Sequence, residues 1–188
     1  MSCPSNHAYV RKIAPDKAIC LDCGMFLDLK AKNENKGPLI MPPLLYTLDE
    51  YTWASWNPWP NITLRLAEKY GWYGSVIGMD DYLVMPIFRH KLPVGYSARR
   101  ITDNGGKKYR LPKDRAKYIW QSRDDLHPPV LVGEGVADAV WLSQLGSSVA
   151  LLGSYGEIPE LPIIMVMDGD EKGIEAAFRI VQEQKKKG

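Results

Sequence analysis

The chain has 188 residues, 45% hydrophobic and 24% charged, with 24 basic against 22 acidic side chains. That supplies one or two small domains with real cores and excludes disordered, collagenous and coiled-coil chains. The longest uncharged stretch, residues 139–156, is interrupted by Ser, Gln and Gly, so no membrane span or membrane partner is expected. The start Met1-Ser2-Cys3-Pro4 lacks the basic and apolar character of a leader. A cytoplasmic location is the expectation, and in that reducing compartment three cysteines point to metal rather than to disulfides.

Residues 1–30 hold all three cysteines and few large apolar side chains, so this zone lacks the core to fold unaided. Cys20-Leu21-Asp22-Cys23 is a two-cysteine knuckle, and Cys3 and His7 lie upstream in the pattern Cys-x3-His-x12-Cys-x2-Cys. Four N/S ligands suit tetrahedral Zn²⁺, whose binding would supply the missing folding free energy. Cys20 and Cys23 are the stronger half of the set.

Residues 31–60 are polar at first, then rich in Pro and aromatics, and read as a linker whose second half packs on something. Trp53, Trp56 and Trp59, set among prolines, read as a small satellite core rather than as base-stacking residues.

Residues 61–128 open with a helical pattern over 62–70 in which Ile62, Leu66, Ala67 and Tyr70 share a face, closed by Gly71. Extended runs follow at 82–88 and 93–98, joined around His90-Lys91, and Asp103-Asn104-Gly105-Gly106 is a turn leading to a third run at 107–111. His90 and His127 have no partner at metal or catalytic spacing and read as surface or structural residues. Residues 85–123 carry eleven Lys/Arg against two Asp, whereas residues 130–178 carry eight Asp/Glu against one Lys. A basic block beside an acidic one suits a protein that holds a polyanion and concentrates divalent cations. Charge runs alone more often describe two solvated faces of opposite sign.

From residue 129 the pattern becomes α/β. Apolar runs at 130–132, 149–152 and 163–167 alternate with a helical stretch at 136–145 and with Ile174, Ala177, Phe178 and Val181 at i, i+3, i+4, i+7. Strands without polar alternation, interleaved with helices, predict a mostly parallel sheet covered on both faces. Two acidic motifs follow predicted strands: Gly133-Glu134-Gly135-Val136-Ala137-Asp138 and Asp168-Gly169-Asp170. The carboxyl ends of neighbouring parallel strands share a crevice, so Glu134, Asp168 and Asp170 can meet there, with Asp138 one turn into the next helix. Clustered carboxylates repel unless a hard cation neutralises them, which makes Mg²⁺ the natural occupant, with Mn²⁺ as its substitute.

Rival motifs fail on spacing. Asp138 stands where a dinucleotide fingerprint needs its third glycine, no Gly-Lys-Ser/Thr is present, and Lys172 and Arg179 occupy ligand positions of the calcium loop that Asp168 would begin. A structural alternative makes these carboxylates helix N-terminal acids that complement dipoles.

The Glu-Gly-x-x-Asp and Asp-Gly-Asp motifs resemble the TOPRIM domain of bacterial-type primases, topoisomerases and some nucleases. Upstream, the stretches 84–87, 94–99 and 107–109 are similar to the basic subdomain that precedes TOPRIM in primases, and an N-terminal zinc ribbon belongs to the same layout. The whole therefore resembles a bacterial or bacteriophage-type DNA primase. That resemblance implies an α/β chain with a zinc ribbon at 1–30, a linker at 31–60, a small basic α+β subdomain at 61–128 and a Rossmann-like TOPRIM subdomain at 129–188. It implies primer RNA synthesis from ribonucleoside triphosphates on a single-stranded DNA template, with a separate replicative helicase as partner. Glu134, Asp168 and Asp170 would hold Mg²⁺, with Asp138 as an outer or second-metal ligand. Arg99, Lys108, Arg100, Lys113 and Arg110 would bind triphosphate or template phosphates, and Tyr109 would stack a base. The alternatives are a TOPRIM nuclease using the same carboxylates, and a non-catalytic zinc-ribbon module that binds DNA and recruits a helicase.

Overall fold

The computed structural model describes residues 10–14, 17–20, 26–28, 39–103, 105–112, 118–152 and 158–187. The first elements are β1 (Val10–Ala14), β2 (Lys17–Cys20) and β3 (Phe26–Asp28), an antiparallel meander in the order β1-β2-β3. Of the four expected zinc ligands, Cys3, His7 and Cys23 lie outside the described residues; Cys20 ends β2, its backbone paired with Val10. Further on, the chain divides its described elements between two compact units, Met1–Pro58 with Glu68–Tyr118, and Trp59–Ala67 with Ile119–Gly188.

In the first unit the stretch read as linker contains a helix, α1 (Glu50–Trp56). Asp49 caps it, its carboxylate accepting the Thr52 N–H at 2.7 Å, a bond that holds the Asp49 pKa below its usual value. The flanking prolines concealed this helix from pattern reading. A second short helix, α2 (Leu64–Lys69), has its first four residues in the second unit and ends at Gly71, whose φ of 67° is the left-handed closure that glycine adopts without strain. Then come β4 (Tyr73–Ile77), β5 (Asp80–Arg89), β6 (Leu92–Arg100) and β7 (Tyr109–Arg110), an antiparallel sheet in that order. The β5–β6 hairpin turns at His90-Lys91, both at positive φ, as a two-residue hairpin loop demands.

β5 is buried on both faces. Tyr82 and Val84 join Ala98 on one face, with Tyr73, Ile77 and Tyr96 around them, and alternation sends the equally buried Leu83, Met85 and Ile87 to the other. On this second face Gly74, opposite Leu83, leaves room for the Trp56 ring, which packs edge-on against Tyr46 at 5.3 Å. Trp53 is buried near Trp72, with ring centroids 6.1 Å apart. The tryptophan triplet is thus divided: Trp53 and Trp56 belong to this core, and Trp59 to the second unit.

The second unit contains β8 (Trp120–Gln121), β9 (Val130–Gly133), α3 (Val136–Leu142), β10 (Ser148–Ala150), β11 (Ile163–Met165) and α4 (Glu171–Lys187). The sheet order is β11-β9-β10-β8, with β11, β9 and β10 parallel and β8 antiparallel at the edge. Val130, Val132, Val149 and Leu151 pack on one face with Ile119, Ile158 and Ile180 of α4. Ser148 points to the other face, its hydroxyl donating to the Ala139 carbonyl of α3 at 2.7 Å. Helices therefore cover both faces, which is why these strands are apolar without alternation. Among the described residues, no helix is long and apolar enough to cross a membrane.

Candidate catalytic site

The parallel register of β9 and β11 decides where the acids go. Met165 pairs with Val132, and the Val166 N–H donates to the Val132 carbonyl at 2.8 Å, so both strands end side by side. Glu134 leaves β9 two residues beyond Val132, and Asp168 leaves β11 three residues beyond Met165. Next to them, the Leu151 and Leu152 N–H groups donate to the Gly133 and Glu134 carbonyls at 3.1 and 2.9 Å. Leu152 does so at a φ of 55°, a conformation costing a bulky residue about 1–2 kcal/mol, so backbone strain accompanies the fixing of Glu134.

The carboxylates share one electrostatic field. The Glu134 pKa is raised by burial first, then by Asp168, Asp170 and Asp138, and the Asp168 backbone N–H, bonded to the Glu134 carboxylate, opposes the rise. The Asp138 pKa is raised by burial and then by Asp168, against the Gly135 N–H that donates to it. Gly173 belongs to the same construction: a Cβ there would strike the Asp168 carbonyl and stand 3.0 Å from Glu134 Oε1. Glycine lets the first turn of α4 approach both acids.

Two of the four acids also cap helices. Asp138, third residue of α3, accepts the Gly135 N–H at 2.9 Å through Oδ2. Asp170, just before α4, accepts the Gly173 N–H at 2.8 Å through Oδ1. The dipole-complementing role is therefore real for this pair, and each retains a second carboxylate oxygen. These bonds turn both side chains toward their own helices. Among the described residues, no group of three or more His, Cys, Asp or Glu is arranged to hold a metal ion. The donor chemistry, all carboxylate oxygen, fits a hard divalent cation, and the raised Glu134 and Asp138 pKa values reflect a field that a cation would relieve.

The basic residues named from sequence fall on two faces of the first unit's sheet. Arg99 and Tyr109 are cross-strand partners; Arg99 Nη1 donates to the Tyr109 hydroxyl at 2.9 Å, and the guanidinium lies 5.3 Å from the ring centroid, with Lys108 Nζ at 5.9 Å. Arg100 and Arg110 face the other way with Tyr82, whose hydroxyl accepts from Arg110 Nε at 3.2 Å and donates to the Lys107 carbonyl at 3.0 Å. Arg100 Nε and Nη1 are shielded from solvent and make no hydrogen bond among the described residues. Lys113 lies outside the described residues. Sequence reasoning missed Tyr82 as the organiser of this cationic pair; its place in an otherwise apolar run, with a hydroxyl to satisfy, was the available signal.

No protein-family model matches the chain, and no curated protein sequence matches it. Among solved structures it is similar to the primase fragment of the bacteriophage T7 primase-helicase protein, at 16% identity and a TM-score of 0.50, over 88% of this chain and 76% of that one. It is also similar to the zinc-binding and RNA polymerase domains of the Aquifex aeolicus primase, at 19% identity and a TM-score of 0.43, over 53% of this chain and 30% of that one. The first likeness gives the chain the fold of that phage primase fragment.

Proposed function

We propose that the chain is a DNA primase that joins ribonucleotides on a single-stranded DNA template. The observation that carries this reading is the coupling of Glu134 with Asp138, Asp168 and Asp170 at the ends of adjacent parallel strands, in a chain with a primase fold. In this reading residues 129–188 are a TOPRIM subdomain, and the β1–β3 meander with Cys3, His7, Cys20 and Cys23 is a zinc ribbon that helps to read the template.

In the reaction the 3′-hydroxyl of one ribonucleotide attacks the α-phosphate of the next, and pyrophosphate leaves. Mg²⁺, held by Glu134, Asp168 and Asp170 with Asp138 outside them, would supply charge neutralisation at the reacting phosphate. Glu134 would also help to accept the proton of the attacking hydroxyl. Asp170 and Asp138 keep their capping bonds, which fix the first turns of α4 and α3 and hence the direction of their second oxygens. Arg100, half-buried, would bind a phosphate oxygen through the part of its guanidinium other than the shielded Nε and Nη1. Arg110, Arg99, Lys108 and Lys113 add phosphate contacts that position a strand without reading it, and Tyr109 offers a ring to a base. A separate replicative helicase is the proposed partner.

The test is incubation of wild type and Glu134→Ala with a mixed-sequence single-stranded template, Mg²⁺ and labelled ribonucleoside triphosphates. Wild type is expected to yield labelled oligoribonucleotides and the variant none. Degradation of nucleic acid without nucleotides would instead assign a nuclease. Template binding that survives Glu134→Ala, with no product from either protein even when a replicative helicase is supplied, would leave a binding module.

A further inference from the structure

Beside the carboxylates, within the second unit, lies a cleft of about 250 Å³ walled by Trp59, Asn61, Trp141 and Met167 and lined as well by Asp138 and Asp168. Its walls come from three places: the segment before α2, the outer side of α3, and the chain leaving β11. Trp141 lies on the open side of its helix, with Asp138 one turn before it. Val136, Ala137, Ala139, Val140 and Leu142 are buried, whereas Trp141 is 41% exposed. Trp141 and Asp138 together form the helix side that lines the cleft, and the indole gives it an aromatic surface.

We infer that this cleft is a nucleobase subsite. The inference rests on the primase reading and adds to it the place where a base lies. Sites that enclose a whole drug-sized ligand measure roughly 300–1,000 Å³, so this one takes a flat part of a nucleotide rather than all of it. Indole faces bind any base by stacking, and the exposed Asn61 amide carries both a donor and an acceptor for a base edge. The mostly apolar and aromatic lining favours the base over the phosphates as the portion that enters. Trp59, which pattern reading grouped with a satellite core, is a positioning residue in this account.

The base can belong to an incoming nucleotide or to the template strand, and three probes separate these sources. ATP, inorganic tripolyphosphate and a twelve-residue oligothymidylate are titrated, with Mg²⁺ present, into the full chain and its Trp59→Ala, Trp141→Ala, Trp59→Phe and Asn61→Ala variants. Stacking losses predict roughly 5- to 150-fold weaker binding in each Trp→Ala variant. Weakening of ATP alone assigns a nucleotide's base, and weakening of the oligonucleotide alone assigns a template base. Tripolyphosphate binding stays unchanged in both cases, and Trp59→Phe restores most of the affinity. Should either Trp→Ala variant unfold, Asn61→Ala, at an exposed position, still predicts weaker binding of the same probe. The subsite is overturned if folded variants bind all three probes as wild type does. It falls alone if that result comes from a wild type that makes primers; absence of primers as well removes the catalytic reading with it.

Discussion

Glu134 sits where its charge is unwelcome, and that has a consequence for stability. Its folded pKa lies above the ordinary 4.5, and that of Asp138 above 3.8, so the folded state holds protons that the unfolded chain releases. Their contribution is complete below those ordinary values and is lost as pH rises through the folded ones; at neutral pH both charges strain the fold. Glu134→Gln is therefore predicted to raise the melting temperature at pH 7.5 while abolishing primer synthesis. Solvent around the partly exposed carboxyl keeps the gain under about 0.5 kcal/mol, a rise of less than about 2 °C, and it should vanish near pH 4. Scanning calorimetry at the two pH values reads both. Gly173→Ala tests the same neighbourhood sterically. Its methyl would meet the Asp168 carbonyl, and the displaced first turn of α4 should cost about 1–3 kcal/mol and most of the activity, measured by denaturant unfolding beside the primer assay.

At the scale of elements, backbone bonds between Tyr46 and Gly74 and one side-chain bond hold the segment preceding β4 to the first sheet. The Tyr73 hydroxyl donates to the Pro42 carbonyl at 2.7 Å, and burial, then Tyr96, push the Tyr73 pKa up to about 12. The folded state keeps this proton where the unfolded chain loses it near 10, so stability falls as pH rises from about 10 to about 12. Tyr73→Phe should flatten that slope in alkaline unfolding curves and cost about 0.5–1.5 kcal/mol at pH 8. Gly74→Ala, whose methyl would enter the Trp56 ring, should loosen α1 and be visible as faster amide exchange over residues 50–56. These features also show what the sequence could tell. The β5–β6 hairpin was legible because its apolar runs flank a two-residue turn, and β9 and β11 because buried parallel strands are apolar without alternation. α1 was not: its signals are one capping Asp and one buried Trp amid prolines, and only the packing of Trp53 and Trp56 selects the helix. β4 was missed because Gly74 and Ser75 break its apolar pattern, and the reason for that glycine is the Trp56 ring, remote in sequence.

For the whole molecule, the acids were identifiable as a group because parallel strand order brings separate chain segments to one end of a sheet. The capping bonds of Asp138 and Asp170 were foreseen only as a rival explanation, yet the structure contains both the caps and the shared field. The split of Arg99 and Tyr109 from Arg100 and Arg110 depends on strand register, which one sequence does not disclose. If these four residues and Lys108 contact single-stranded template, the slope of log affinity against log salt is about −0.7 per phosphate neutralised; Arg100→Ala and Lys108→Ala should each lower its magnitude by about 0.7. The central claim, that Glu134 and the Asp168/Asp170 pair form one cation site, is tested most directly by Mn²⁺ binding followed by electron paramagnetic resonance. Wild type should bind the ion, and Glu134→Gln and Asp168→Asn should each weaken it at least about ten-fold, as loss of a ligand requires. Equal binding by wild type and both variants would contradict it.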